Sequence, residues 1–294
     1  MPLLAISLAL LGAVFLAFGA QRQGSAVRAN TGGLSLSTSG FTRLLANPRW
    51  LFGLFLLGAG TVLNVIALTL ASLTVVQPIG AVALVITTVV NSRDQGIRLN
   101  RPTIGAITAC VTGSAFFVLL AVNVTRDNLT IEPAQALSVV LLLGAAVTLF
   151  GSLAVFGRRR LNAFAYILGA GVLFGFVAVL TKTVAGLLLD PNGRFLLNVS
   201  PYTLIALVAA AALGSWFVQS AYATGPPDLV IAGLTVIDPI VGIAIGITIL
   251  NELQPHVRAT TAFGMVGAAL VAIVGVIVLS RHHPDVLKRQ RNGV

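Results

Sequence analysis

Charge is what this chain has least of. Eight acidic and eighteen basic side chains in 294 residues make 9% charged against 57% hydrophobic, whereas water-soluble domains carry roughly 25% charged residues. A soluble globular protein is therefore excluded. Cysteine is reduced to Cys110, which excludes an intrachain disulfide. Inside an apolar run and without metal-ligand spacing around it, Cys110 reads as a small buried filler. No HExxH segment, serine nucleophile elbow or GxxxxGK[ST] phosphate loop occurs, and His256, His282 and His283 fall outside the apolar runs. The chain thus lacks the groups for intramembrane proteolysis, metal-assisted hydrolysis or nucleotide-driven pumping, and no enzyme, cofactor or metal site is expected. The net charge of +10 is scattered over short segments, with no basic domain or aromatic-studded patch, so no nucleic-acid partner is expected.

What the chain does have is apolar runs of about 20 residues, which at about 1.5 Å per residue match a hydrocarbon layer of about 30 Å. They extend over Leu3 to Ala20, Trp50 to Ala67, Leu68 to Val89, Ile104 to Val122, Ala134 to Phe156, Ala163 to Leu180, Pro201 to Ser220, Leu229 to Leu250 and Thr261 to Ser280. The expected fold is an all-α integral membrane protein with nine transmembrane helices. Nine crossings put successive connections on alternate sides. One side holds Arg22, Arg28, Arg43, Arg49, Arg93, Arg98, Arg101, Arg158, Arg159, Arg160, Arg281, Lys288, Arg289 and Arg291; the other holds only Arg126, Lys182, Arg194 and Arg258. The richer side is cytoplasmic by the positive-inside rule. A multi-pass protein of the cell membrane follows, its N-terminus outside and its C-terminus cytoplasmic.

The first run lacks the basic lead-in of a secretory signal and is instead followed by Arg22 and Arg28, so it is read as a retained helix. Gln21 to Asn47, rich in Ser, Gly and Thr, reads as a flexible cytoplasmic segment within the connection 21–49. The basic tail 281–294 is expected near anionic headgroups. Asn-x-Ser/Thr triplets begin at Asn123, Asn128 and Asn198 in outer loops and matter only in a glycosylating host.

The third and eighth runs contain related segments. LTVVQPIGAVALVIT from Leu73 to Thr87 and LTVIDPIVGIAIGIT from Leu234 to Thr248 share Leu, Thr, Val, Pro, Ile, Ala, Ile and Thr in register. Apolar composition yields chance matches, but not two threonines and a proline. If helices 1 to 4 (residues 1–133) are repeated by helices 6 to 9 (residues 161–280), helix 5 with its basic loop (residues 134–160) is an odd crossing that inverts the second unit. Two inverted four-helix repeats joined by a fifth helix are a basis for alternating access around a shared site.

Through these paired T-V-x-x-P-I segments, the chain length and the small-residue-rich helices, the sequence resembles the drug/metabolite transporter superfamily in its EamA-like form. The resemblance covers nearly the whole chain in architecture and is specific at the helix 3 and helix 8 segments. It implies a carrier for small metabolites, drugs or lipid-linked groups. Many members have ten helices in two units of five; this chain lacks the last, and its nine-helix pattern is similar to the NIPA-type branch associated with magnesium transport.

Asp238 is the carboxylate deep inside a run, where a charge must face a cavity, find a partner or bind a proton. Pro239 beside it donates no backbone hydrogen bond and frees the carbonyl of Thr235. Gln77, Pro78 and Thr74 occupy the matching positions of the first repeat, so a shared site would be chemically asymmetric. Asn64, Gln219 and Tyr222 stand in the helices preceding the two proline segments and are candidate substrate or coupling residues, with interhelical bonding as the plainer role. Trp216 reads as packing. Lys182 reads as snorkelling to the outer headgroups, too far along its helix to pair with Asp238. Arg158, Arg159 and Arg160 are candidate lipid-phosphate contacts, with topological anchoring as the plainer role. Asp190 to Gly193 has turn composition, Asp228 reads as a helix N-cap and Glu252 as a solvated surface group.

The reading favoured by these residues is an ion-gradient-driven carrier of a small polar or cationic metabolite, with proton or cation coupling through Asp238. A flippase for a polyprenyl-phosphate-linked sugar, a magnesium or divalent-cation transporter, and a membrane-embedded enzyme or non-transporting scaffold are the alternatives. Expected partners are membrane lipids and a small-molecule or lipid-linked substrate, with homodimerisation left open.

Overall fold

A computed structural model describes the chain except for residues 1, 32–37, 71–72, 95, 97–98, 126–131, 157–160, 189–199, 285 and 288–294. Its helices are α1 (Pro2–Thr31), α2 (Thr38–Leu44), α3 (Pro48–Leu70), α4 (Leu73–Asp94), α5 (Arg101–Val124), α6 (Pro133–Phe156), α7 (Ala163–Leu188), α8 (Pro201–Thr224), α9 (Pro227–Thr248) and α10 (Ala259–His282). Among the described residues, seven helices, α1 and α5 through α10, are long and apolar enough to cross a bilayer. The chain is an all-α, multi-pass membrane protein. In hydrocarbon each backbone N–H and C=O must be answered within the segment, which is why apolar runs of this length become helices whatever their β-branched content. The outward faces stay apolar: Phe116, Leu141, Phe156 and Phe263 are all exposed.

Hydrophobicity does not distinguish lipid from a neighbouring helix, so close packing through small residues holds the bundle together. α1 packs along α3 and α4, α7 along α8 and α9, and α5 along α10, while α6 leans on α7 and α8. A Cβ built on Gly12 would lie 3.0 Å from the Gly60 carbonyl oxygen, and one on Gly19 would lie 2.9 Å from that of Gly53. In the α5–α10 pair, a Cβ on Gly113 would stand 2.7 Å from the Ala272 nitrogen, and one on Gly275 would stand 2.8 Å from the Cys110 nitrogen. Cys110 is buried in this seam as expected, its Sγ 3.8 Å from the Ala272 carbonyl oxygen.

The structure departs from the sequence reading between helices 1 and 2. The segment expected to be a flexible loop from Gln21 is helical to Thr31, and Thr38–Leu44 forms a further short helix. The apolar run ends at Ala20, but the buried face does not: Ala17, Ala20, Gln23 and Val27 are all buried, at the spacing of one helical face. Gly24 meets Pro227 and Tyr222. Tertiary packing extends α1 through polar residues that no hydropathy window retains. The second helix does not end at Ala67 but continues to Leu70, and α4 is helical from Leu73.

Gly113→Leu is expected to destabilise the protein by about 1–3 kcal/mol, because its side chain must displace α10 backbone rather than a flexible side chain. Gly144, with nothing within 4 Å of its Cβ position, should accept leucine unchanged. Thermal unfolding of both variants in one detergent checks the contrast.

Candidate functional site

Asp238 lies on α9, eleven residues after Pro227 and thus about 16 Å along the helix, near its middle. It is partly exposed, and no described side chain hydrogen-bonds its carboxylate. The backbone around it is shaped by two neighbours. Pro239 sits inside the helix and leaves the Thr235 carbonyl without its intrahelical donor. Ser114 of α5 supplies the missing bond, its Oγ donating to the Thr235 oxygen at 2.9 Å. From the other side α7 approaches through glycine: a Cβ on Gly171 would be 2.6 Å from Ile237 Cβ, and one on Gly175 would be 3.1 Å from the Asp238 carbonyl oxygen. Asp238 therefore stands where α9 is interrupted and clasped by α5 and α7. Thr235 donates its own hydroxyl to the Ile231 carbonyl at 2.8 Å.

Gln77, Pro78 and Thr74 fall on α4, and their side chains lie outside the described residues. Asn64 is partly exposed on α3, its backbone nitrogen 3.5 Å from the Cβ position of Gly12. Arg158, Arg159 and Arg160, with Asp190 to Gly193, Asn128 and Asn198, also lie outside the described residues.

Gln219 and Tyr222 are buried away from Asp238, toward the end of the bundle that holds the arginines. Gln219 is central to a chain of side chains: Trp50 Nε1 donates to Gln219 Oε1 at 2.9 Å, and Gln219 Nε2 donates to Gln23 Oε1 at 2.9 Å. This chain joins α3, α8 and α1. Tyr222 is 2% exposed and packs beside Gly24. Trp216 packs as expected, in edge contact with Tyr166 and Phe217.

Three charged groups differ from their sequence reading. Pro226, not Asp228, caps α9. Asp228 is wholly buried, taking a hydrogen bond from Asn91 Nδ2 at 3.1 Å and lying 2.9 Å from His283 Nε2. A carboxylate two residues into the helix looks like a cap in sequence, but the end of α4 and the residue following α10 both close over it. Glu252 is buried rather than solvated, and Lys182 does not merely snorkel: its Nζ meets Glu252 Oε1 at 2.9 Å. The pair forms because the segment after α9 folds back toward α7. Nearby, Gln254 N donates to the Val124 oxygen at 2.9 Å, tying this segment to α5.

Sequence reasoning missed Gln23, Trp50, Asn91 and Ser114. Gln23 carried a usable signal, since it continues the buried helical face of Ala20. Ser114 had none, because a serine in an apolar run commonly bonds its own helix. Among the described residues, no group of three or more His, Cys, Asp and Glu could hold a metal ion.

A multi-pass helical bundle packed on glycine, with an ionisable group beside a mid-helix proline, has the construction of membrane transport proteins. The family model described as Magnesium transporter NIPA matches residues 2–156, and the chain belongs to that family. An uncharacterized protein of Corynebacterium glutamicum is 30% identical over 285 residues, covering 95% of each chain. No solved structure matches.

Ser114→Ala should cost about 1 kcal/mol by leaving the Thr235 carbonyl unanswered. In a Pro239→Ala background, where a backbone N–H is restored, the same substitution should cost much less. A double-mutant cycle read by unfolding in detergent checks this; additive effects would contradict the assignment of Ser114 to the carbonyl that the proline frees.

Proposed function

We propose that this protein transports magnesium by alternating access, the ion passing with much of its hydration shell and Asp238 serving as its counter-charge in mid-crossing. The observation that carries the reading is the Asp238 carboxylate: half-buried, beside a mid-helix proline and joined to no described side chain, in a chain of a magnesium-transporter family. A carboxylate at that depth is costly unless a cation or proton answers it. Magnesium demands six oxygens at 2.0–2.1 Å and releases water reluctantly, so one carboxylate suits an ion that keeps its waters and is held through them. Gln77 and Asn64 are the candidate neutral partners, and Thr74 with Pro78 the candidate kink opposite Thr235 with Pro239. The family match favours this cargo over the small polar or cationic metabolite suggested by the residues alone.

The two inverted four-helix units are supported by packing as well as by the sequence repeat. α1 engages α3 and α4 just as α7 engages α8 and α9, and the last helices of the units, α5 and α10, engage each other. At the opposite end the units meet through backbone, with Gln254 on Val124 and Thr125, whereas the described bonds from side chain to side chain between the units gather at the arginine-rich end, where Gln219 reaches Gln23 and Trp50, and Asp228 reaches Asn91. This supports a state closed at that end, which positive-inside reasoning makes cytoplasmic. Gln219 and Tyr222 then belong to the closure rather than to the ion site.

In proteoliposomes containing a magnesium indicator, Asp238→Asn is expected to lower uptake at least about tenfold, by removing the counter-charge, while Asp238→Glu retains part of it. Absence of magnesium flux in the parent, or undiminished flux in Asp238→Asn, would refute the proposal. The closure has its own readout. Val230 is fully buried on α9, so Val230→Cys in a Cys110→Ala background should react slowly with an impermeant maleimide added at the arginine-rich face. Asn91→Ala should speed that reaction; equal rates would remove Asn91 and Asp228 from the closure.

A further inference from the structure

A cavity of about 360 Å³ lies at the arginine-rich end, between the second half of α1, the start of α3 and the end of α4. Its polar lining is made by the guanidinium groups of Arg22 and Arg49, the Ser25 hydroxyl and the amide side chains of Asn47 and Gln21, donors in the majority. Asn47 Oδ1 already accepts from the backbone nitrogens of Arg49 and Trp50, at 3.0 and 3.4 Å, which leaves its amide hydrogens to face a ligand. Among the described residues no carboxylate lines the space, and neither arginine is ion-paired to one of them. The remaining wall is apolar, with Phe18, Ala26 and Val90, and Phe18 is 43% exposed, opening this side toward the lipid-facing surface.

Depth settles what such a mixture suits. Arg22 follows the apolar run of α1 with only Gln21 between, and Arg49 directly precedes that of α3, so both stand where hydrocarbon gives way to headgroups. Donors and two positive charges on one wall, with apolar side chains on the other, match a molecule that is a phosphate at one end and hydrocarbon at the other. Guanidinium is the side chain that grips phosphate through paired N–H groups, and basic pockets between membrane helices take anionic lipid heads.

We propose that this cavity is a binding site for one anionic phospholipid, its phosphate held between Arg22 and Arg49 and its glycerol and upper acyl chain lying against Phe18 and Val90. The site is separate from Asp238 and independent of what the protein transports.

Native mass spectrometry of the purified full chain, with phosphatidylglycerol or phosphatidylcholine added to the micelles, tests the site. The parent should retain phosphatidylglycerol preferentially, and Arg22→Gln with Arg49→Gln should weaken that retention by about 30-fold, the order expected for two arginines near a lipid surface. Arg93→Gln, at an exposed arginine expected on the same face, should leave it unchanged. Ala29→Trp keeps both charges but fills the cavity from an exposed position on its lining, and it too should lose the lipid. It decides the matter if the double variant fails to fold. Equal retention of the two lipids by the parent, equal loss in Arg93→Gln, or undiminished binding in Ala29→Trp would overturn the proposal. Displacement of the lipid by inorganic phosphate alone would reassign the cavity to a soluble anion.

Discussion

A bilayer interior offers no water to a carbonyl that has lost its partner, and this chain places such a carbonyl in the middle of α9. Pro239 takes away the donor for Thr235, and Ser114 on α5 restores it from outside the helix. One interruption thereby becomes a joint between two helices, in the turn that carries Asp238. The glycines of α7 complete the arrangement by bringing a second backbone against the same turn. An ionisable group is held there by its neighbours' backbones, while no described side chain binds its carboxylate. That combination is the basis of the role proposed for Asp238.

Three other buried polar groups, Asp228, Gln219 and Glu252, are answered and serve as connectors. Asp228 has Asn91 and His283 around it, Gln219 has Gln23 and Trp50, and Glu252 has Lys182. Buried polar networks whose members are all satisfied fix the relation of the elements they join. Those of Asp228 and Gln219 lie toward the arginine-rich end, and that of Glu252 lies at the opposite end. The polar groups thus mark three levels along the bundle, with Asp238 in the middle one.

Much of this was legible in the chain itself. Apolar runs announced the helices, because a hydrocarbon-spanning segment has only one economical backbone form. The depth of Asp238 and the effect of Pro239 on Thr235 followed from counting residues along a helix, and the magnesium-transporter kinship was among the expected resemblances. What stayed hidden were the partners brought from far away in sequence. Asp228 reads as a cap until Asn91 and His283, 137 and 55 residues distant, are seen to enclose it. Lys182 and Glu252 stand 70 residues apart, each ordinary as a surface charge. The continuation of α1 to Thr31 was lost for the opposite reason. Its buried face persists in Gln23 and Gly24, residues that hydropathy counts as loop, and only packing against α8 and α9 makes them interior.

The seam between α5 and α10 bears on how the protein is made. Gly113 is shaped for Ala272, and Gly275 for Cys110, surfaces some 160 residues apart in the order of synthesis. At about 5–20 residues per second, α5 emerges from the ribosome roughly 8–30 seconds before its counterpart exists. Throughout that interval its small-residue groove faces lipid or the insertion machinery, and the first four long helices cannot complete their packing. The seam therefore closes only once α10 has been made, and loss of that helix would leave an early one without the surface it was cut to fit.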